Sequence, residues 1–210
     1  MECSYESCRN TLKPENSATN FQKPALSVTF AINTGKICSG QKLLEMGAGN
    51  LRNALYVMRN INNIDYYVLE MREVVDRFTN NYTKFRRLGG HLFYSVPSKE
   101  SFDIIICTFV FETICPSSKR LDILQSIVTI LKSDGILVAS FRGYPGVKGT
   151  KYELCPAREG LITPLRTFIK PFSLSELREF FGIVGLTNFE ALQKYRTESP
   201  QNIHVAVRRG

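Results

Sequence analysis

The sequence predicts an α/β domain: a doubly wound, mostly parallel seven-stranded sheet with helices on both faces and an antiparallel edge strand. Three observations predict it. Strand patterns alternate with amphipathic helical patterns across short connections, in the order βαβαβ…βαβ. Residues 102–109 are apolar and β-branched nearly throughout, as a strand covered on both faces must be. The first strand runs into Gly47-Ala48-Gly49, a turn tight enough to pass the chain into a helix beneath a bound ligand.

The elements follow in order. Residues 1–20 are polar and weakly periodic and read as a flexible N-terminal arm, with 21–210 as a single domain. Residues 25–32 are spaced as a helix, with Pro24 in its first turn and Gly35 at its end. Residues 42–46 are the first strand, and 50–59 a helix with Leu51, Ala54, Leu55 and Met58 on one face. Residues 66–69 form a second strand ending at Glu70. A single helix over 73–88 is stopped by Gly89-Gly90, and 91–94 make a short third strand. After the 102–109 strand come an amphipathic helix (118–131), a turn at Ser133-Asp134-Gly135 and a strand over 136–140. Residues 141–171, with four Gly, four Pro and six Lys/Arg, read as an elaborated basic loop. Ser173 then caps a helix with Glu176 as its capping-box partner, and 187–192 and 202–207 close the sheet as an antiparallel pair.

Composition sets outer bounds. With 43% hydrophobic and 22% charged residues, the 210-residue chain is ordinary for a globular domain. No apolar run approaches the roughly 20 residues that span a bilayer, and Met1 to Tyr5 lack the basic and apolar regions of an export signal. A cytoplasmic protein without a membrane partner is expected. The six cysteines, at 3, 8, 38, 107, 115 and 155, do not form a disulfide framework. Cys107 reads as a small buried hydrophobe. Cys3 and Cys8 form a C-x4-C pair, but no second pair or nearby His completes a zinc site in the linear sequence, so no metal is expected. The +8 charge sits mostly in the last third, where eleven Lys/Arg face six acids.

A strand ending in an acid, then Gly-x-Gly, then a helix: this is Glu45 to Asn50. The glycines let backbone approach a ligand, and the helix start offers free N–H groups to a carboxylate or phosphate. A second strand ends in Glu70, whose carboxylate can accept hydrogen bonds from ribose hydroxyls. A nicotinamide dinucleotide is the competing ligand, but its fingerprint wants a third Gly where Arg52 stands.

At this point the chain resembles a known family. Residues 43–50 are similar to the first motif of class I (Rossmann-like) S-adenosylmethionine-dependent methyltransferases, and 67–70 to their second. Residues 101–106 resemble their Phe-Asp strand, 131–138 their helix-to-strand turn, and 172–186 their late helix. The resemblance spans about 40–208 and implies S-adenosylmethionine as cofactor, with S-adenosylhomocysteine as product. It implies that Gly47, Gly49 and Asn50 approach the methionine part, that Glu45 orients the ammonium group, and that Glu70 and Met71 bind the ribose end. Ser95 stands where an acid often meets the adenine, and Thr108 and Phe109 would border the sulfonium and the acceptor. Where the family often has a third loop glycine this chain has Leu51, which fits if the helix starts one residue sooner.

Methyl transfer is an in-line displacement governed by alignment, and a base is needed only when the acceptor must lose a proton. Glu112, just after the fourth strand, is the candidate base. The Asp/Asn-Pro-Pro-aromatic motif that amino-methylating nucleic-acid enzymes have there is absent, and Cys115-Pro116 has the wrong order for base C5 methylation. The basic loop offers Arg142, Tyr144, Lys148 and Lys151 to an anionic small molecule or a nucleic acid as methyl acceptor. A non-catalytic nucleic-acid or protein binding module on the same fold is the alternative.

Overall fold

The computed structural model describes residues 12–18, 20–146, 152–155, 159–197 and 200–210. After a 3₁₀ turn at Pro14–Ser17 come α1 (Leu26–Asn33), β1 (Lys42–Met46), α2 (Arg52–Asn60), β2 (Asp65–Leu69), α3 (Arg72–Arg77), α4 (Thr79–Arg87), β3 (His91–Phe93) and β4 (Phe102–Thr108). A 3₁₀ turn at Phe111–Thr113 leads to α5 (Ser117–Ile130) and β5 (Leu131–Arg142). Then follow three two-residue strands, β6 (Glu153–Leu154), β7 (Leu161–Ile162) and β8 (Phe168–Ile169), and finally α6 (Leu174–Gly182), β9 (Asn188–Ala191) and β10 (Asn202–Arg208).

Seven strands form one sheet in the order β3-β2-β1-β4-β5-β10-β9. The first five are parallel, and β10 lies antiparallel to both β5 and β9, so the reversed strand stands one place in from the edge. The two-layered core follows from period-2 alternation. Ile105 and Cys107 of β4 face Leu124 and Ile127 of α5 and Leu177 and Phe181 of α6. Ile104 and Ile106 face the other way, toward Val28 of α1, Ala54 and Val57 of α2 and Phe85 of α4. The strand order reverses between β1 and β4, and in an open parallel sheet that switch point opens a crevice at the carboxyl ends of the strands.

Three local outcomes differ from expectation. The helix expected over 73–88 is broken at Phe78 (φ −112°), giving α3 and α4. The turn at 133–135 is instead an irregularity within β5: Phe102 pairs with Leu131 but Ile104 with Ile136, so β5 bulges over three extra residues. Residues 152–155 and 159–171 of the basic loop carry a small antiparallel sheet, β6-β7-β8. The capping box forms: Ser173 Oγ accepts from Glu176 N, and the Glu176 carboxylate accepts from Ser173 N. Among the described residues no helix is long and apolar enough to cross a membrane.

Candidate active site

The turn after β1 is built for close approach. Gly47 has φ +65°, and a Cβ there would stand 2.6 Å from Val110 Cγ2, so only glycine fits. Gly49 has φ +55°, and its N–H donates to Glu70 Oε2 at 2.7 Å. The other Glu70 oxygen accepts from Met71 N at 2.8 Å. Glu70 is 7% exposed, and burial raises its pKa against these two backbone donors. The bend and the strand-end carboxylate therefore meet directly.

Both border a cavity of about 1270 Å³ at the carboxyl ends of β1, β2 and β4. Asn50, Met71, Ser95, Thr108 and Phe109 border it too. The Asn50 side chain is committed elsewhere: its Nδ2 donates to the Phe21 carbonyl at 2.7 Å, tying the segment before α1 to the turn. Phe109 takes a left-handed conformation (φ 59°) as the chain leaves β4. This volume exceeds that of an ordinary small-ligand pocket and has room for a cofactor beside an acceptor.

Several expected residues are placed differently. Glu45 does not border the cavity. It is 1% exposed beneath the turn, where its two oxygens accept from Asn53 Nδ2 (2.7 Å) and Tyr66 OH (3.0 Å). Burial drives its pKa up to about 7, with those hydrogen bonds opposing. It therefore lies beneath the turn, not on the cavity wall where a direct ligand contact was expected. Leu51 does not lie inside an earlier-starting helix; it takes the left-handed conformation itself (φ 65°, ψ 21°), and α2 begins after it. Glu112, the candidate base, borders the cavity but turns its carboxylate to the end of β5. It is 1% exposed, accepts from Arg142 N (2.6 Å) and pairs with Arg142 Nε (3.1 Å), so both oxygens are engaged. Burial raises its pKa to about 7 while Arg142 opposes.

Arg142 borders the cavity, but Tyr144 does not: it is 48% exposed and its OH donates to the Glu176 carboxylate. Lys148 and Lys151 lie outside the described residues. The described cations of the basic segment are each paired, Arg142 with Glu112, Arg166 with Glu153 and Lys170 with Glu176. Such pairing offsets the charge of these three described cations.

Sequence reasoning missed two residues. Asn53 is 1% exposed and joins three elements: its amide donates to Glu45 and to Thr108 Oγ1 (3.1 Å), and its Oδ1 accepts from Ala25 N (2.8 Å). His204, on β10, borders the cavity edge-on to Phe109, with ring centroids 6.2 Å apart. Its Nδ1 lies 2.9 Å from Ser140 Oγ, which lies 2.6 Å from Ser27 Oγ. Burial lowers its pKa to about 4, so the imidazole is neutral at pH 7. The available signal was one imidazole inside an otherwise apolar strand, Ile203 to Val207.

The cavity also has a roof. Lys13 N donates to the Arg166 carbonyl (2.8 Å), Asn16 Nδ2 to the Leu165 carbonyl (3.3 Å), and Arg77 Nη1 to the Glu15 carbonyl (3.0 Å). The described part of the N-terminal arm thus bridges the β7–β8 turn and α3 across the crevice.

Comparison with known proteins agrees with this geometry. A family model described as a methyltransferase domain matches residues 44–139, from β1 through most of β5. No curated protein matches the chain in sequence. Among solved structures, the chain is similar to the CcbJ methyltransferase from Streptomyces caelestis (10% identity, TM-score 0.68, 95% of this chain and 97% of that one). It is similar to an S-adenosylmethionine-dependent methyltransferase from Clostridium acetobutylicum (12%, 0.65, 93% and 94%). It is also similar to the N-terminal domain of EvdMO1, solved in the presence of SAH and D-fucose (15%, 0.61, 91% and 85%). At these identities the structural likeness is one of fold. With the family-model match over residues 44–139, the strand order and the Gly-x-Gly turn facing a strand-end carboxylate, the chain carries a methyltransferase domain on the class I, S-adenosylmethionine-dependent methyltransferase fold.

Proposed function

We propose that this enzyme methylates a small acceptor enclosed with the cofactor in the one cavity. Bound S-adenosylmethionine supplies an electrophilic methyl group on a sulfonium. Gly47, Gly49 and Glu70 are the residues proposed to hold it, with Met71 and Ser95 toward the adenosine end and Thr108 and Phe109 toward the sulfonium. The Gly47–Gly49 turn and the Glu70 carboxylate, both on the cavity wall, support that fit.

The acceptor would lie beyond Phe109, between apolar walls (Val110, Ile114, Ile123) and polar groups (Arg142, Asn202, His204). Arg142 remains about one-third exposed despite its pairing with Glu112, so it can still meet one anionic or polar group of the acceptor. Neutral His204, backed by Ser140 and Ser27, would accept or orient a proton leaving that group. The observation that carries the choice of a small acceptor is the hydrogen-bonded roof over the cavity, from residues 12–18 to the β7–β8 turn. A nucleic-acid acceptor has less support, because the described loop cations are paired with acids.

A methyl-transfer screen with radiolabelled S-adenosylmethionine tests this. Its panels are small carboxylates, phenols and amines on one side and DNA and RNA on the other. Incorporation confined to a small-molecule panel is expected. Incorporation into nucleic acid would overturn the acceptor class. Salt-sensitive nucleic-acid binding without any incorporation would favour the binding-module alternative.

A further inference from the structure

Three buried polar groups stand in a row behind the acceptor end of the cavity. Ser27 of α1 and Ser140 of β5 are fully buried, and His204 of β10 is 2% exposed. Ser27 Oγ lies 2.6 Å from Ser140 Oγ, which lies 2.9 Å from His204 Nδ1. Among the described residues neither hydroxyl has a partner beyond this row. His204 Nε2 has no partner there either. No buried side-chain nitrogen or oxygen of the described residues goes unpartnered, so Nε2 opens onto the cavity that His204 borders.

The hydrogens of the row can be counted. A neutral imidazole carries one N–H, at Nδ1 or Nε2, and its partners decide which. With the hydrogen on Nδ1, the ring would donate to Ser140. Ser27 and Ser140 would then have two hydroxyl hydrogens and only the one contact between them in which to place them. One hydrogen would be buried without an acceptor, at the full desolvation cost of that group. With the hydrogen on Nε2, Ser27 donates to Ser140, Ser140 donates to Nδ1, and every hydrogen is used. Burial keeps the ring neutral, with its pKa lowered to about 4. The row therefore turns an N–H, not a lone pair, toward the acceptor.

Its neighbours at that end match this. In the β5–β10 pairing Ser140 stands opposite His204 and Arg142 opposite Asn202, which puts the four on one face. The Arg142 guanidinium borders the cavity beside His204, and both Glu112 oxygens are taken by Arg142. Among the described residues at this end, no free carboxylate or imidazole lone pair remains to take a proton.

We propose that Ser27 and Ser140 hold His204 as an Nε2–H donor, and that the methyl acceptor is an already ionised oxygen, a carboxylate or acidic phenolate, held by that N–H and by Arg142. This rests on the small-acceptor reading above and narrows it: of accepting and orienting, His204 keeps the second. A lone pair of the acceptor oxygen forms the new C–O bond as the S–C bond breaks, and the electron pair of that bond returns to sulfur. The sulfonium becomes a thioether, the oxygen anion becomes an ester or ether, and no proton moves. Ser27 and Ser140 are positioning residues, since neither borders the cavity.

Ring-nitrogen nuclear magnetic resonance of the full chain at pH 7 tests the lock without cofactor or acceptor. The chain has two histidines, and His91→Gln assigns their signals. An Nε2–H ring is expected at His204, and Ser140→Ala should move the Nδ1 resonance by removing its hydroxyl donor. An Nδ1–H ring in the wild type overturns the proposal even if Ser140→Ala fails to fold, and so does an unmoved Nδ1 resonance in the folded variant. Turnover tests the acceptor. His204→Gln keeps a side-chain N–H but no basic nitrogen, so it should retain at least about one-tenth of the turnover of a small carboxylate or phenol, against a roughly 10²-fold loss in His204→Ala. Equal losses in the two variants, or incorporation confined to amines, overturns the proposal. An Nε2–H ring in a protein that methylates no small molecule overturns the acceptor class together with the small-acceptor reading, and leaves the tautomer assignment standing.

Discussion

Glu45 and Asn53 show how a buried carboxylate is held beneath the turn that borders the cavity. The Asn53 amide joins the Glu45 carboxylate, Thr108 at the end of β4 and the backbone at the start of α1. Asn53→Ala would leave the backbone N–H of Ala25 and one Glu45 oxygen without these partners. A loss of about 2–3 kcal/mol in urea unfolding is predicted. Glu45 titrates in the opposite sense from a salt-bridged acid. Its pKa rises from 4.5 to about 7 on folding. The stability it lends is therefore complete below its unfolded value and lost as pH rises through about 7. In Glu45→Gln the fall in stability between pH 5 and 7 should shrink, by at most about 3 kcal/mol. An unchanged pH profile would show that Glu45 does not titrate there. The acid before the glycines was legible in sequence; its burial was not, because the shielding Asn53 and Tyr66 come from two other elements.

The elements carry the site by where they end. The short parallel strands and their helices were legible from periodicity, since burial on both faces leaves a continuous apolar record in β4 and β5. The break at Phe78 and the bulge in β5 were not, because each depends on packing between elements. Glu112 was legible as an acid after β4, but its pairing with the end of β5 is a tertiary fact. Arg142→Met should strand the buried Glu112 carboxylate and destabilise the fold by about 2–3 kcal/mol, less than a fully buried pair because Arg142 is partly exposed. Glu112→Gln in that background should restore much of the loss, as read by thermal unfolding at pH 8. No restoration would mean that the Arg142 stem, not its charge, matters. On β10, His204→Ala should lower turnover of a protic acceptor by about 10²-fold or more while cofactor affinity stays within a few-fold. Equal losses in both would assign His204 to packing against Phe109.

The whole molecule is a sheet with its crevice at the switch between β1 and β4, enclosed by segments the sheet itself does not require. Those segments, residues 12–25 and the β6–β8 region, were the least legible. They lack periodicity, and their structure depends on scattered contacts such as Lys13 to Arg166 and Asn50 to Phe21. The three described cations of the basic loop, Arg142, Arg166 and Lys170, form ion pairs that were not legible for the same reason: charges far apart in sequence, such as Glu112 and Arg142, meet only after folding. The central claim is that the bend at Gly47–Gly49 and the Glu70 carboxylate hold one cofactor molecule. Calorimetric titration of S-adenosylhomocysteine into the wild type and Glu70→Ala tests it most directly. Stoichiometric binding to the wild type, weakened at least about 10-fold by the substitution, is predicted, equivalent to about 1.4 kcal/mol. Equal affinity in a folded Glu70→Ala variant, or no binding to the wild type at millimolar ligand, would contradict it.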